Sequence, residues 1–185
     1  SGSATVAQAN SIDAQTSGVV TATISDTTMS TLSTLTGTGN AYSITVNDAS
    51  VDAAALNTLD GKTTVTVNAG SVATLTGSAA AIDTAINAAS IDTGAAVAVN
   101  VNSGSATVAQ ANSIDAQTSG VVTATISQGD LSTLATLTGT GNAYTVTLSD
   151  TTAAASALTT LDGKTTVAVN AGSVTTLSGT AAEVT

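Results

Sequence analysis

Short runs of alternating apolar and small polar residues recur along the chain and predict β-strands. The runs are VVTATIS from Val19, AYSITVN from Ala41, TTVTVNA from Thr63 and AVAVNVN from Ala96, and a similar run starts at Val121. Each places apolar side chains on one face and Ser, Thr or Asn on the other, with the two-residue period of a half-buried strand. The starts are spaced by roughly 22 to 33 residues, which is in or near the length of a solenoid coil. We therefore predict one strand for each such interval.

The segments between these runs carry short-helix signals. TTMSTLSTL, SVDAAALNTLDGK and SAAAIDTAINAAS place apolar residues three or four positions apart and have Ser, Thr or Asp near their starts. Gly37, Gly61 and Gly94 come at or near the ends of these segments, where a helix must stop and the chain must turn. The pattern predicts a cycle of short helix, turn, strand and turn.

A long repeat contains this cycle. The segment Ser1–Ser25 recurs unchanged as Ser103–Ser127, and the similarity continues with the same offset to the chain end. About three quarters of the aligned positions are identical. We divide the chain into a first unit, residues 1–102, and an incomplete second unit, residues 103–185, that continues the first without a linker.

Tandem repeats of this size predict a solenoid, in which each coil buries its apolar face only against its neighbours. We expect an α/β solenoid with one parallel β-sheet and short helices on the return side, because parallel strands need crossover connections. Each unit would hold about four coils, each of roughly 22 to 33 residues. The alternative is an all-β parallel β-helix, in which the helical segments form further strands.

Composition narrows the classes of function. Phe, Trp, Pro, Cys and His are absent, and the only aromatic residues are Tyr42 and Tyr144, which suits a narrow core of short side chains. Without His or Cys, the common pairings of nucleophile and base are missing, so we expect no enzyme and assign no catalytic or cofactor-binding residue. The net charge of −10 disfavours nucleic acid as a partner. No apolar run approaches the length of a membrane-spanning helix, so we expect no membrane insertion.

The aspartates are mostly isolated, whereas calcium needs six to eight converging oxygen ligands. We therefore assign no metal-ligating residue, and calcium binding stays an alternative. Six aspartates are interpreted as helix caps and turn formers. They are Asp26, Asp48, Asp52, Asp83, Asp92 and Asp115.

The polar faces of the predicted strands carry a series of hydroxyl side chains, which we call the Thr-rich face. Its residues are Thr21, Thr23, Ser43, Thr45, Thr64, Thr66, Thr145 and Thr147. A flat array of hydroxyl and methyl groups is a candidate surface for binding ice or glycan. The structural alternative is the ordinary polar face of a sheet.

The run AAALNTLDGKTTVTVNAGSVATLTGSAAAID resembles the repeat regions of very large secreted or surface proteins of bacteria, notably cyanobacteria, that are grouped with adhesins and hemolysin-like proteins. This resemblance implies an extracellular or cell-surface stalk, fibre or coat built from many copies. We expect a structural segment that supplies length and whose stack continues, or self-associates, end to end. Surface binding through the Thr-rich face is the alternative function.

Overall fold

The computed structural model describes residues 2–183, and in this range short β-strands alternate with seven helices. The helices are α1 Val6–Asp13, α2 Met29–Leu32, α3 Ala53–Asp60, α4 Ala79–Asn87, α5 Val108–Asp115, α6 Leu131–Leu134 and α7 Ala155–Asp162. The strands are β1 Gly2–Ala4, β2 Thr21–Ile24, β3 Ala41–Ser43, β4 Ser50–Asp52, β5 Val67–Ala69, β6 Thr74–Ser78, β7 Ile91–Thr93, β8 Ala98–Ser103, β9 Val122–Thr125, β10 Ala143–Thr145, β11 Thr152–Ala154 and β12 Thr176–Ser178. The fold is α/β, so the all-β alternative is wrong.

The strands pair in parallel and form four sheets within the described residues. Their strand orders are β1-β2-β3, β10-β9-β8-β6-β4, β11-β12 and β5-β7. The prediction of one sheet is wrong because the extended chain turns a corner between successive strands. Strand β3 pairs with β2, whereas β4, the next strand along the chain, pairs with β6.

Paired strands are separated by a nearly constant length of chain. Gly2 faces Ala22, Ser50 faces Thr74, and Val67 faces Ile91. The prediction of a single coil between the run at Thr63 and the run at Ala96 is therefore wrong, because the strands in these two runs do not pair with each other. The first run contains β5, which pairs with β7, and the second contains β8, which pairs with β6. The short sequences of β6 and β7, TLTGS and IDT, lack a clear alternation, so neither strand was predicted.

The two repeat units share a sheet. Strand β8, which spans the unit boundary between Asn102 and Ser103, pairs with β6 on one side and with β9 on the other. Buried residues from Ala4 to Leu161 form one hydrophobic cluster. Tyr42 and Tyr144 are the largest fully buried side chains, surrounded by Leu, Ile, Val and Ala. The narrow core of short side chains is confirmed.

The helices form where the three predicted segments lie, at α2, α3 and α4, and that prediction is confirmed. The sequence pattern missed α1 and its repeat α5. Both begin with a capping box, in which Thr5 accepts a hydrogen bond from the Gln8 backbone and Gln8 accepts one from the Thr5 backbone. The T-x-x-Q spacing was the available signal; Thr107 and Gln110 repeat it in the second unit.

Candidate functional site

The structure distributes the Thr-rich face over more than one sheet. Thr21, Thr23 and Ser43 are exposed members of the three-stranded sheet. Thr145 is exposed on the five-stranded sheet, and Thr147 follows it and bridges to Asn170. The structure therefore brings together the first three residues but puts Thr145 on a separate sheet.

The remaining residues of the Thr-rich face lie near the turn after α3. Thr45 is half-buried and bridges to Asn68, and Thr64 and Thr66 are exposed in the segment that leads into β5. The Thr64 hydroxyl donates a hydrogen bond to the carbonyl of Asn40 at 3.2 Å. Thr64 therefore has a structural contact in addition to its exposure.

Two residues of the Thr-rich face, Thr23 and Thr145, stand opposite hydroxyl residues on neighbouring strands. Thr23 faces Ser3 on one side and Ser43 on the other. Thr145 faces Thr125, which lies in the run that starts at Val121 but was not included in the Thr-rich face. Thr21, by contrast, faces Ala41. The hydroxyl side chains therefore form short rows that run across neighbouring strands.

A second candidate surface consists of two polar clefts, one in each unit, which we call the turn clefts. Each lies between two turns and has a volume of about 400 Å³ in the first unit and 470 Å³ in the second. The first is lined by Asp13, residues 16–19 and residues 36–40, and the second by the corresponding residues of the second unit. All the lining residues are identical in the two units.

An asparagine at the base of each turn cleft joins two successive strand regions. Asn40 is 2 % exposed; its Oδ1 accepts a hydrogen bond from the Val20 backbone at 2.8 Å, and its Nδ2 donates to Asp13 Oδ1 at 2.7 Å. Asn142 repeats both contacts, to Val122 at 2.8 Å and to Asp115 at 2.6 Å. Each asparagine side chain is therefore the hydrogen-bond partner of two polar groups that lie 20 and 27 positions earlier in the chain.

Glycine at position 37 is required by this contact. A Cβ atom there would lie 2.6 Å from Asp13 Oδ2 and 2.5 Å from Asn40 Nδ2, and Gly139 has the same surroundings. The TGTGN turn therefore makes room for the Asp–Asn pair. The cleft above it offers threonine and serine hydroxyls and one carboxylate to a ligand.

Behind the turn clefts, the two tyrosine hydroxyls are buried and have no hydrogen-bond partner among residues 2–183. Burial raises the pKa of Tyr144, and the Asp115 carboxylate raises it further. Burial and the Asp13 carboxylate act on the pKa of Tyr42 in the same direction. Both side chains therefore stay protonated at neutral pH and belong to the core.

The aspartates mostly bond to backbone and side-chain groups of the fold. Asp52 caps its own helix α3 through the Ala55 backbone at 3.0 Å, whereas Asp26 and Asp48 accept from the first N–H of the preceding helices α1 and α2. These three assignments as helix caps are confirmed. The sequence pattern did not indicate that Asp26 and Asp48 cap helices whose first residues lie 20 and 19 positions earlier in the chain.

The other three aspartates have different positions. Asp83 accepts a hydrogen bond from the Ser113 hydroxyl at 2.6 Å, and Asp115 accepts one from Asn142. Asp83 lies in the middle of α4, so its assignment to a cap or turn is wrong, whereas Asp115 is the last residue of α5 and bonds to a later part of the chain. Asp92 lies within β7, so its assignment to a cap or turn is wrong. In residues 2–183, no group of three or more His, Cys, Asp or Glu side chains is placed to hold a metal ion.

No helix in the described part of the chain has both the length and the apolar character needed to cross a membrane. In comparisons with known proteins, no family model, no curated protein and no solved structure matches the chain.

Proposed function

We propose that the chain is a segment of an α/β solenoid that supplies length in a fibre, stalk or coat outside the cell and has no catalytic role. The observation that carries this proposal is that helices α1, α2 and α6 each receive an acceptor for their first N–H group from a later part of the chain. The first N–H of α1 donates to Asp26, that of α2 to Asp48 and that of α6 to Asp150, at 2.6 to 2.8 Å.

These contacts matter because the first turn of a helix has N–H groups without partners in the helix. In this chain the partner comes from 19 or 20 positions later in all three cases. A coil that ends the stack loses this acceptor, whereas a coil inside the stack keeps it. Stability supplied by the following neighbour is what a repeat array requires.

The side-chain bonds of asparagine support the same interpretation. Asn10 donates to the Thr34 carbonyl and accepts from the Thr36 backbone, and Asn57 donates to the Ala81 carbonyl. These bonds again join groups 24 to 26 positions apart. Together with the parallel pairing of strands 20 to 24 positions apart, these bonds link each part of the chain to the part that follows it by a similar number of residues.

The proposed location outside the cell rests on the resemblance to repeat regions of secreted and surface proteins. The acidic sequence, with 12 Asp and Glu against 2 Lys, suits a soluble coat or stalk that does not bind polyanions. Fractionation of the producing cells, with an antibody against this chain, tests the location. Signal confined to the cytoplasm would contradict it.

The solenoid is tested by adding whole units and measuring the maximum dimension by small-angle X-ray scattering. One unit, residues 1–102, corresponds to about four coils. At roughly 4.8 Å between the paired strands of neighbouring coils, each added unit should lengthen the particle by about 19 Å. Growth with the cube root of mass would instead indicate a compact particle and sink the proposal.

A second candidate function is binding of ice or glycan through the Thr-rich face, favoured by the opposed hydroxyls of Thr23 with Ser43 and Thr125 with Thr145. Thermal hysteresis and a glycan array test it on the full chain. The variant Thr23→Tyr should abolish any binding, and Thr58→Tyr, on the exposed side of α3, serves as the matched control. Equal loss in both variants would count against a role for this face.

A further inference from the structure

The second unit exposes apolar residues whose counterparts in the first unit are buried. Leu75 is 0 % exposed, whereas Leu177, the corresponding position of the second unit, is 47 % exposed. The other members of this end face are half-buried, and their counterparts Leu56, Val67, Ala69 and Val72 are buried. We call Leu158, Val169, Ala171, Val174 and Leu177 the C-terminal face.

The first unit shows what covers these positions. Leu75 in β6 is paired with Val99 in β8, and Val67 in β5 is paired with Ile91 in β7. Helix α4, between β6 and β7, packs on α3, which contains Leu56. The cover is therefore the single stretch from α4 to β8, residues 79–103, which we call the linking coil.

The opposite end of the molecule lacks the same neighbour. Ile12 in α1 is 51 % exposed, whereas its counterpart Ile114 in α5 is 0 % exposed. Helix α5 packs on α4, and Ser113 donates to Asp83 and contacts Asn87 of that helix. Ser11, the counterpart of Ser113, is exposed. The linking coil thus has one side that fits the C-terminal face and one side that fits the N-terminal end.

We propose that both ends of this chain bind one kind of partner, a coil with the sequence pattern of residues 79–103 supplied by a further repeat unit. Two unmodified copies placed end to end lack this coil, because one ends at the position of residue 83 and the next begins at that of residue 103. The partner is defined by its pattern, which is a short amphipathic helix followed by two strands, with Ile at the position of Ile91 in the first strand, Val at the position of Val97 just before the second strand, and Val at the position of Val99 within it. This inference rests on the proposed solenoid.

The test extends the full chain after Thr185 with a copy of residues 84–102 and measures hydrogen exchange. The amides of residues 165–178 should exchange roughly tenfold or more slowly, because the added strands pair with the exposed edge. The control extension carries Ile91→Ser, Val97→Ser and Val99→Ser in its copied sequence and should leave the exchange unchanged. Equal exchange in the two extended chains and the unextended chain would overturn the inference.

A second measurement examines the other end. The last added residue corresponds to position 102, and the next position of the repeat corresponds to Ser1. Copies of the extended chain should therefore associate head to tail as the concentration rises, and sedimentation experiments measure this association. Association should bury Ile12 and be at least roughly tenfold weaker for the control extension and for the unextended chain. Equal association in all three would also overturn the inference. If added units lengthen the particle but the extension has neither effect, the proposed solenoid stands and only this partner is wrong.

Discussion

The region that follows β2 and the region that follows β9 have the same fold with different carboxylates. In the first unit, Asp26 accepts from the first N–H of α1, whereas in the second unit Gln128 accepts from that of α5 at 2.9 Å. Just after these positions, Thr28 makes no side-chain cap bond to α2, whereas Asp130 caps α6 through the Thr133 backbone. Relative to the repeat, Asp130 of the second unit lies two positions later than Asp26 of the first unit, and the path of the chain is the same. A hydrogen-bond acceptor is therefore what the first N–H group of the helix requires, and a negative charge is not.

A second contrast has the opposite form, since identical residues lie in different surroundings. Leu75 and Leu177 occupy the same place in the repeat, but within the described residues only Leu75 lies between two paired strands. Sequence identity between the units therefore does not imply equal contributions to stability. The neighbouring strands and helices decide how much each residue contributes.

The largest expected effect tests the difference in burial between Leu75 and Leu177. Leu75→Ala should lower the free energy of unfolding by about 2–5 kcal/mol because it leaves a cavity in a closed core. Leu177→Ala should cost less than about 1 kcal/mol, since the side chain is 47 % exposed. Urea unfolding of both variants measures the difference. Equal losses would mean that the C-terminal face is covered in solution.

The amides of the turn clefts should behave alike in both units. Asn142→Ala leaves the Val122 N–H and the Asp115 carboxylate without a partner, so a loss of about 2 kcal/mol is expected in urea unfolding. Asn40→Ala should give a loss within about 0.5 kcal/mol of that value, because its contacts are the same. Thr140→Ala, in the same turn but exposed, is the control and should have no measurable effect.

The N-cap positions of α3 and α7 correspond to each other in the two units but hold different residues. Asp52 accepts a hydrogen bond from Ala55, whereas Ala154 in the second unit makes no side-chain cap bond. Asp52→Ala should cost about 1 kcal/mol, and Ala154→Asp should add a similar amount. Thermal unfolding of the single variants and of the double variant measures both shifts. A loss in Ala154→Asp would show that the missing neighbour, and not the cap, limits α7.

The smallest expected effect is the pH dependence of the Asp130 cap. Hydrogen bonds from the Thr133 and Ser132 side chains and the Thr133 backbone lower the pKa of Asp130 from 3.8 to about 2. Because the folded pKa is depressed, the cap's contribution is present above about pH 4 and disappears as the pH falls towards about 2. The urea midpoint of the protein should exceed that of Asp130→Asn at neutral pH, and the gap should close at the acidic end of this range. A gap independent of pH would contradict the carboxylate cap.

The sequence predicted the parts of this fold that depend on local pattern. The alternating runs at Val19, Ala41, Thr63 and Ala96 overlap strands β2, β3, β5 and β8, and the three Ala- and Leu-containing segments contain helices. Strands β6 and β7 were missed because Gly77 and the short IDT segment weaken the two-residue period. The residues of the Thr-rich face lie at exposed or half-buried positions, and their division between sheets depends on where the chain turns corners.

By itself, the sequence determined the repeat, the α/β alternation and the small side chains of the core, since these follow from periodicity and residue volume. Only the tertiary structure decided which strand each edge meets, which helix Asp26 and Asp48 cap, and that Asn40 bonds to Asp13. These contacts join groups 19 to 27 positions apart, and local sequence does not specify the register between segments so far apart in the chain. The exposure of Leu177 was decided in the same way, because burial depends on the segments that pack against a residue and not on the residue itself.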